Sequence, residues 1–223
     1  MHRILDIRSL VVRSICVFSI LSAIPVAAAA ASFILISASR SVSEDGTSFC
    51  ELCDPPTEFS SNSSESSNEF GFFSEFVSGI GSEAEQNSTL RPNLLMGDGR
   101  VDTGFSGENS ATSFLSVVFQ VDATDQYSLS GQLFNIVDEN RITLSSATLG
   151  IIFNRDSPGG GLFVENFLLE LGETYTLVAV SSGSGFGTPD FGQWEFTMVP
   201  EPSTGMLVLL GLTGIAARRR GRA

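Results

Sequence analysis

The sequence predicts a mainly β protein: an antiparallel β-sandwich of jelly-roll or immunoglobulin-like type, flanked by an N-terminal signal helix and a C-terminal transmembrane helix. Three observations predict it. Apolar and polar residues alternate in short runs between residues 32 and 199, the period of a strand with one buried face. Turn-forming clusters interrupt those runs at intervals of about 8–12 residues. Both chain ends carry uncharged apolar runs with arginines at their outer flank, a pattern absent from the middle.

The elements follow in order. Arg3, Arg8 and Arg13 precede an uncharged stretch at residues 14–31 (SICVFSILSAIPVAAAAA), and Ala29 and Ala31 offer an A-x-A cleavage site before Ser32. This is the layout of a secretory leader over residues 1–31, which implies the Sec translocon and signal peptidase as partners. A permanent anchor is the competing reading, because residues 32–36 (SFILI) continue the apolar run. Cleavage is preferred, because residues 32–43 (SFILISASRSVS) alternate as a first strand should. Residues 57–68 (TEFSSNSSESSN) are Ser- and Asn-rich with little to bury, and are expected to form a loop. Asn62 and Asn87 head glycosylation-type triplets, a pattern that bare surface asparagine also satisfies.

Further strands are expected at residues 115–121, 127–133, 149–153, 162–171, 175–180 and 191–198. Turn signals separate them at residues 122–125, 138–140, 157–161, 172 and 181–189. Trp194, Phe196 and Met198 share one face of the last strand, and the alternation groups Tyr127, Tyr175 and Trp194 with core positions. The 18 Phe are read mostly as core. The sandwich domain is thus expected over residues 32–199, and residues 200–223 form a separate tail.

Charge narrows the function. The chain carries −13, with 12 basic and 25 acidic residues. All the basic residues are Arg, and seven of them lie in the two ends; residues 32–217 hold five Arg against 24 acids, a net of −19. Nucleic acid is therefore not an expected partner. The one histidine is His2, in the leader, so the body has no Ser-His-Asp triad, no imidazole metal ligand and no Schiff-base lysine. The expectation is a protein that is not an enzyme and takes no cofactor.

The remaining candidates are weak motifs. Cys50 and Cys53 form a C-x-x-C without the partners a zinc site needs; a local disulfide fits an exported chain, with free thiols or a bridge to another protein as alternatives. Asp98 with Asp102, and Asp122 with Asp125, could bind calcium or simply form a solvated acidic face. Glu165, Glu170, Glu173 and Glu195 could supply a hydrolytic pair, but no pattern brings two into one cleft. The stretch Gly183-Ser184-Gly185-Phe186-Gly187 is expected to be a loop, since no helix pattern follows it. No fixed period marks an internal repeat.

The tail carries the most specific signal. Val199-Pro200-Glu201-Pro202 is followed by an uncharged apolar run at residues 203–217 and then by Arg218, Arg219 and Arg220. As a helix that run is about 22 Å long, short for a hydrocarbon core of ~30 Å. The arginines would remain on the cytoplasmic side. The prolines would leave an extended, accessible segment before the helix. This order of parts resembles the PEP-CTERM sorting signal of exopolysaccharide-producing Gram-negative bacteria, also labelled an ice-binding protein C-terminal domain. The resemblance covers the last 25 or so residues. It implies recognition by an exosortase-type membrane protease, cleavage near Pro200-Glu201-Pro202, and delivery to the cell surface or extracellular matrix, with exopolysaccharide as a candidate partner. More loosely, the body is similar to β-sandwich proteins of that group, which implies a closing hairpin formed by residues 169–202. A structural or adhesive role is the first functional expectation, and a carbohydrate-binding module the alternative.

Overall fold

The computed structural model describes residues 31–50, 57–104, 108–136, 138–156, 160–186 and 190–201. Their alternating side chains sort them into twelve strands: β1 (Phe33–Cys50), β2 (Thr57–Ser67), β3 (Gly71–Ser78), β4 (Ser82–Arg91), β5 (Leu94–Thr103), β6 (Glu108–Val121), β7 (Asp125–Ile136), β8 (Glu139–Ser146), β9 (Gly150–Asp156), β10 (Gly161–Leu169), β11 (Tyr175–Phe186) and β12 (Asp190–Pro200). They form two six-stranded antiparallel sheets, ordered β2-β1-β6-β11-β8-β9 and β10-β7-β12-β5-β4-β3. No helix occurs among the described residues. Residues 1–30 of the expected leader and the apolar tail run lie outside them, while Ala31 is buried with the core.

The core is built from the inward rows of both sheets. Leu115, Val117 and Phe119 of β6 and Leu177 and Ala179 of β11 meet Leu129 and Leu133 of β7 and Trp194, Phe196 and Met198 of β12. Burial of each large side chain contributes on the order of 1.5–3 kcal/mol. The Phe33 ring centroid lies 5.2 Å from that of Phe119 and 5.2 Å from that of Tyr127. Tyr127, Tyr175 and Trp194 are all buried, as their alternation predicts.

Trp194 sets the spacing between strands. Its indole stacks on Phe196 at 5.9 Å, and its Nε1–H donates to the Ser113 carbonyl of the facing sheet at 3.4 Å. The ring lies over β5 where Gly97 and Gly99 present no side chain. A Cβ at Gly97 would come 3.1 Å from the ring, and one at Gly99 would overlap both the ring and Ser113 Oγ.

Several sequence expectations need correction. Residues 57–67 are not a loop but edge strand β2, in register with β1 from Arg40↔Ser67 to Cys50↔Thr57. An edge strand at the rim of a core needs no apolar face, and its ladder bonds come from the neighbour. Ser61 shows the compensation: its Oγ–H donates to Glu44 Oε2 at 3.1 Å and its oxygen accepts from the Ile80 amide at 2.7 Å. Residues 181–186 likewise continue β11, so the glycine-rich stretch begins as strand. Glu139 and Asn140 open β8, where the sequence reads as a turn. The closing pair is not a hairpin: β11 and β12 lie in opposite sheets. Strands β3 to β5 and β8 were not among the sequence expectations.

Arg40 ties β2 to β3, where the chain passes between sheets. It is 1% exposed. Its guanidinium donates to Ser67 Oγ (3.3 Å), to the Glu69 carbonyl, to the Gly71 carbonyl (3.2 Å) and to Ser88 Oγ (3.4 Å), and lies 5.0 Å from the Phe73 ring centroid. Gly71 stands at φ +98°, a conformation open to glycine and costly for other residues.

Two expected outcomes follow from the packing around Trp194. Gly99→Ala forces a methyl into a rigid ring and costs about 1–3 kcal/mol. Trp194→Ala leaves a cavity and costs about 3–5 kcal/mol. Urea unfolding midpoints of the two variants check both, and wild-type midpoints would show that the indole does not set the sheet spacing.

Candidate functional site

The sorting residues begin inside the sandwich. In β12, Val199 pairs with Ser128 and Pro200 with Tyr127 of β7. Pro200 has no N–H to give, and the next amide, that of Glu201, donates to the Gln126 carbonyl at 2.9 Å. The backbone is therefore held through Glu201, where the sequence predicts a free extended segment. Pro202, Arg218, Arg219 and Arg220 lie outside the described residues.

The start of the domain is tied to the same place. The Ser32 amide donates to Asp122 Oδ1 at 2.7 Å, and Ser32 Oγ–H donates to Asp122 Oδ2 at 2.6 Å. These bonds hold the Asp122 carboxyl below its ordinary value. The Tyr127 hydroxyl points to the Ser32 carbonyl at 3.5 Å. Burial, then the charges of Asp122 and Asp125, push that phenol up to about 12, so it stays protonated. Residues 122–127 thus grip both Ser32 and Glu201, which lie at one end of the sandwich.

The second feature is the outward face of the sheet β10-β7-β12-β5-β4-β3. Cross-strand register places Ser74, Asn87, Asp98, Glu195 and Gln132 side by side in one row, each on a successive strand. At ~4.8 Å per strand this polar lane is about 19 Å long. Apolar groups rim it on both sides. Phe72 and Met96 lie in the row toward one end, and Phe76 and Phe134 in the row toward the other. Phe72 is 71% exposed, Phe76 56% and Phe134 48%.

Hydrogen bonds organise the lane. Ser74 Oγ–H donates to Asn87 Oδ1 at 2.6 Å, and Asn87 Nδ2 donates to both Glu85 Oε1 and Asp98 Oδ2 at 3.1 Å. On the far side Gln132 Nε2 donates to Glu195 Oε2 at 2.6 Å. Asp98 and Glu195 face each other across the paired strands β5 and β12. The nearby cation is directed elsewhere: Arg100 bonds Asp102 at 3.1 Å and lies 5.1 Å from the Phe191 ring centroid. Burial raises the Asp98 carboxyl, the Asn87 bond lowers it, and the charges of Glu85 and Glu195 raise it further.

The other expected residues are dispersed. Glu165 lies on edge strand β10, while Glu173 accepts bonds from Ser146 (2.5 Å) and Thr148 Oγ1–H (3.0 Å) at a turn. Of the four glutamates considered for hydrolysis, Glu195 has a carboxylate directly opposite on the next strand. Asp98 and Asp102 share the outward face of β5, and both Asp122 oxygens are occupied by Ser32. Among the described residues, no group of three or more His, Cys, Asp or Glu is placed to hold a metal ion. The Cys50–Cys53 pair falls outside the description, which covers only the backbone of Cys50 and none of Cys53.

Sequence reasoning missed the aromatic rim by assigning phenylalanines to the core in bulk. A signal was present: Phe72 and Phe73 are adjacent, and neighbours in a strand point to opposite faces. Phe73 is buried and Phe72 is not. Gly97-Asp98-Gly99 was a second signal, with an acid between two residues that vacate the core.

The fold and the tail define the class: an antiparallel β-sandwich whose last strand runs into a sorting signal. A model of the PEP-CTERM protein-sorting motif matches residues 199–220, so the chain carries that motif. The motif implies an exported protein, recognised by exosortase, a membrane protein, and destined for the cell surface. No curated protein matched the sequence.

Two pH-linked outcomes are expected. Asp122 has a depressed folded value, so its stabilising contribution is present above the ordinary carboxylate value of 3.8 and is lost as pH falls toward the folded value. Asp122→Asn should therefore lower the melting temperature at neutral pH and flatten its acid dependence. Asp98 is raised, so its charged form opposes folding above 3.8, and protonation favours the fold as pH falls through the raised value. Asp98→Asn should stabilise the protein by about 0.2–1 kcal/mol through loss of the like-charge pair. Melting curves of both variants between neutral and acid pH decide; equal behaviour of the two would sink the assignment.

Proposed function

We propose that this is a surface or matrix protein with an adhesive, non-catalytic role, released or anchored through its PEP-CTERM tail. The observation that carries the reading is the convergence of Ser32 and Glu201 on residues 122–127. Ser32 and Glu201 lie at one end, and the outer sheet faces present exposed side chains for contacts. The leader directs the chain through the Sec translocon and is removed near Ser32; cleavage before that residue would turn its amide into an ammonium, which the Asp122 carboxylate is placed to receive. The apolar tail halts export, and Arg218, Arg219 and Arg220 fix its orientation. Exosortase then cuts. Because the sandwich binds the backbone through Glu201, the cut falls at or after that residue.

A non-catalytic role is supported by the openness of the polar lane. Asp98 and Glu195 stand on a sheet face and not in a cleft that could exclude water. The second reading, a carbohydrate-binding module, is favoured by that same face. Exposed rings beside hydrogen-bonding amides and carboxylates suit the apolar and hydroxyl faces of a sugar. Such a protein would work in the exopolysaccharide matrix.

The test is the intact mass of the protein from the membranes, outer surface and medium of its native host. The expected surface or medium species begins near Ser32 and ends at Glu201 or within a few residues of it. Full-length tail mass in the membrane fraction alone would make the tail a lasting anchor and remove exosortase processing from the account.

A further inference from the structure

The outward face of the second sheet has an unbalanced charge pattern that narrows its ligand. Like charges directly opposite on neighbouring strands are unfavourable. A purely structural sheet would relieve the Asp98–Glu195 pair with a cation. Here the available one, Arg100, is turned to Asp102 and Phe191. The amides of Asn87 and Gln132 donate to the outer sides of Asp98 and Glu195. No hydrogen bond in the lane joins the two carboxylates. Glu85 adds a third acid, bonded to Asn87 at 3.1 Å.

We infer that this lane binds a cationic polysaccharide, one whose sugars carry free amino groups, with the ammonium groups between Asp98 and Glu195 and the sugar rings against Phe72 and Phe76. The inference rests on the carbohydrate reading and deepens it by naming the ligand class. Charge complementarity commits the face to that class. A polyuronate would be repelled by Glu85, Asp98 and Glu195, and a neutral glycan would leave the carboxylate pair uncompensated. Phenylalanine faces attract cations as well as C–H groups, and the effect grows as water is excluded. Each exposed ion pair contributes little alone. A polymer spanning several strands adds the contacts without a new encounter for each. A cation at the pair also offsets the burial that chiefly raises Asp98 and the charges of Glu85 and Glu195 that add to it.

The experiment uses the full chain in detergent micelles at mildly acidic pH. Binding is measured by calorimetry to three probes: glucosamine oligomers, N-acetylglucosamine oligomers of the same length, and a polyuronate. The glucosamine oligomer is expected to bind at least about 10-fold more tightly than its acetylated counterpart, since loss of a charge-assisted contact is on that scale. Added salt should weaken it. Asp98→Asn and Glu195→Gln should each weaken glucosamine binding by about 2–5-fold, and Phe72→Ala should weaken both glucosamine and N-acetylglucosamine binding. Glu139→Gln, on the outward side of the other sheet, controls for bulk attraction to an acidic body. Melting temperatures accompany each variant, and Asp98→Asn is expected to fold at least as well as wild type, so its loss reads on binding.

Equal affinity for the acetylated oligomer overturns the cationic assignment and leaves the carbohydrate reading standing. Binding to none of the three overturns both. Preference for the polyuronate, or equal loss in Glu139→Gln, also overturns the inference.

Discussion

The fit of Trp194 over Gly97 and Gly99 is the constraint on which the rest of the structure depends. The indole is buried completely, and it reaches across to Ser113 on the facing sheet. It can do so only where β5 offers no side chains, so the register Trp194↔Gly99 and Phe196↔Gly97 is set by shape. That register determines everything on the other face. Since the side-chain period in a strand is two, Asp98 must point out between the glycines and Glu195 must point out beside it. A slip of one residue in β5 or β12 would carry that strand's acid into the core. The placement of the carboxylate pair on the outer face is therefore a consequence of core packing.

The same logic joins the chain ends. β1 and β12 belong to different sheets, yet each meets residues 122–127, the turn that carries β6 of one sheet into β7 of the other. A turn between sheets is the natural point for this, because its amides and carbonyls face both edges of the sandwich. Ser32 uses the carboxylate of Asp122 and Glu201 uses the carbonyl of Gln126. The motif match begins at Val199, two residues before the last held amide, so the sorting signal and the sandwich overlap in sequence. Whatever acts on the tail meets an ordered domain immediately upstream of Pro202.

How much of this could be read in the sequence follows from which forces were local. Alternation revealed β1, β6, β7 and β10 to β12, because those strands carry one apolar face against the main core. It missed β2, whose serines have no apolar face and whose strand character comes from pairing with β1. It missed β3 to β5, whose inward rows mix Phe73, Val77, Leu90, Leu95 and Val101 with Gly97, Gly99, Gln86 and Ser88, so the apolar alternation is interrupted. The tail was legible throughout its motif, because Pro200, the apolar run and the arginines act by linear order. The aromatic rim was not, because Phe72, Phe76 and Phe134 become neighbours of one lane only through the order of five strands.

The polar lane also illustrates a conflict between stability and use. Nothing in the fold requires Asp98 to be charged. An asparagine would keep the bond from Asn87 and remove repulsion from Glu85 and Glu195. The glycines on either side already concede core volume to Trp194, so the position is not short of alternatives that would suit the fold better. A pair of acids with no cation bonded to it, beside exposed rings on the sheet face, departs from the residues that would suit the fold alone, as functional surfaces do. The rigid β5–β12 register then keeps the carboxylates in place before a ligand is present, so binding would not require the sheet to reorganise.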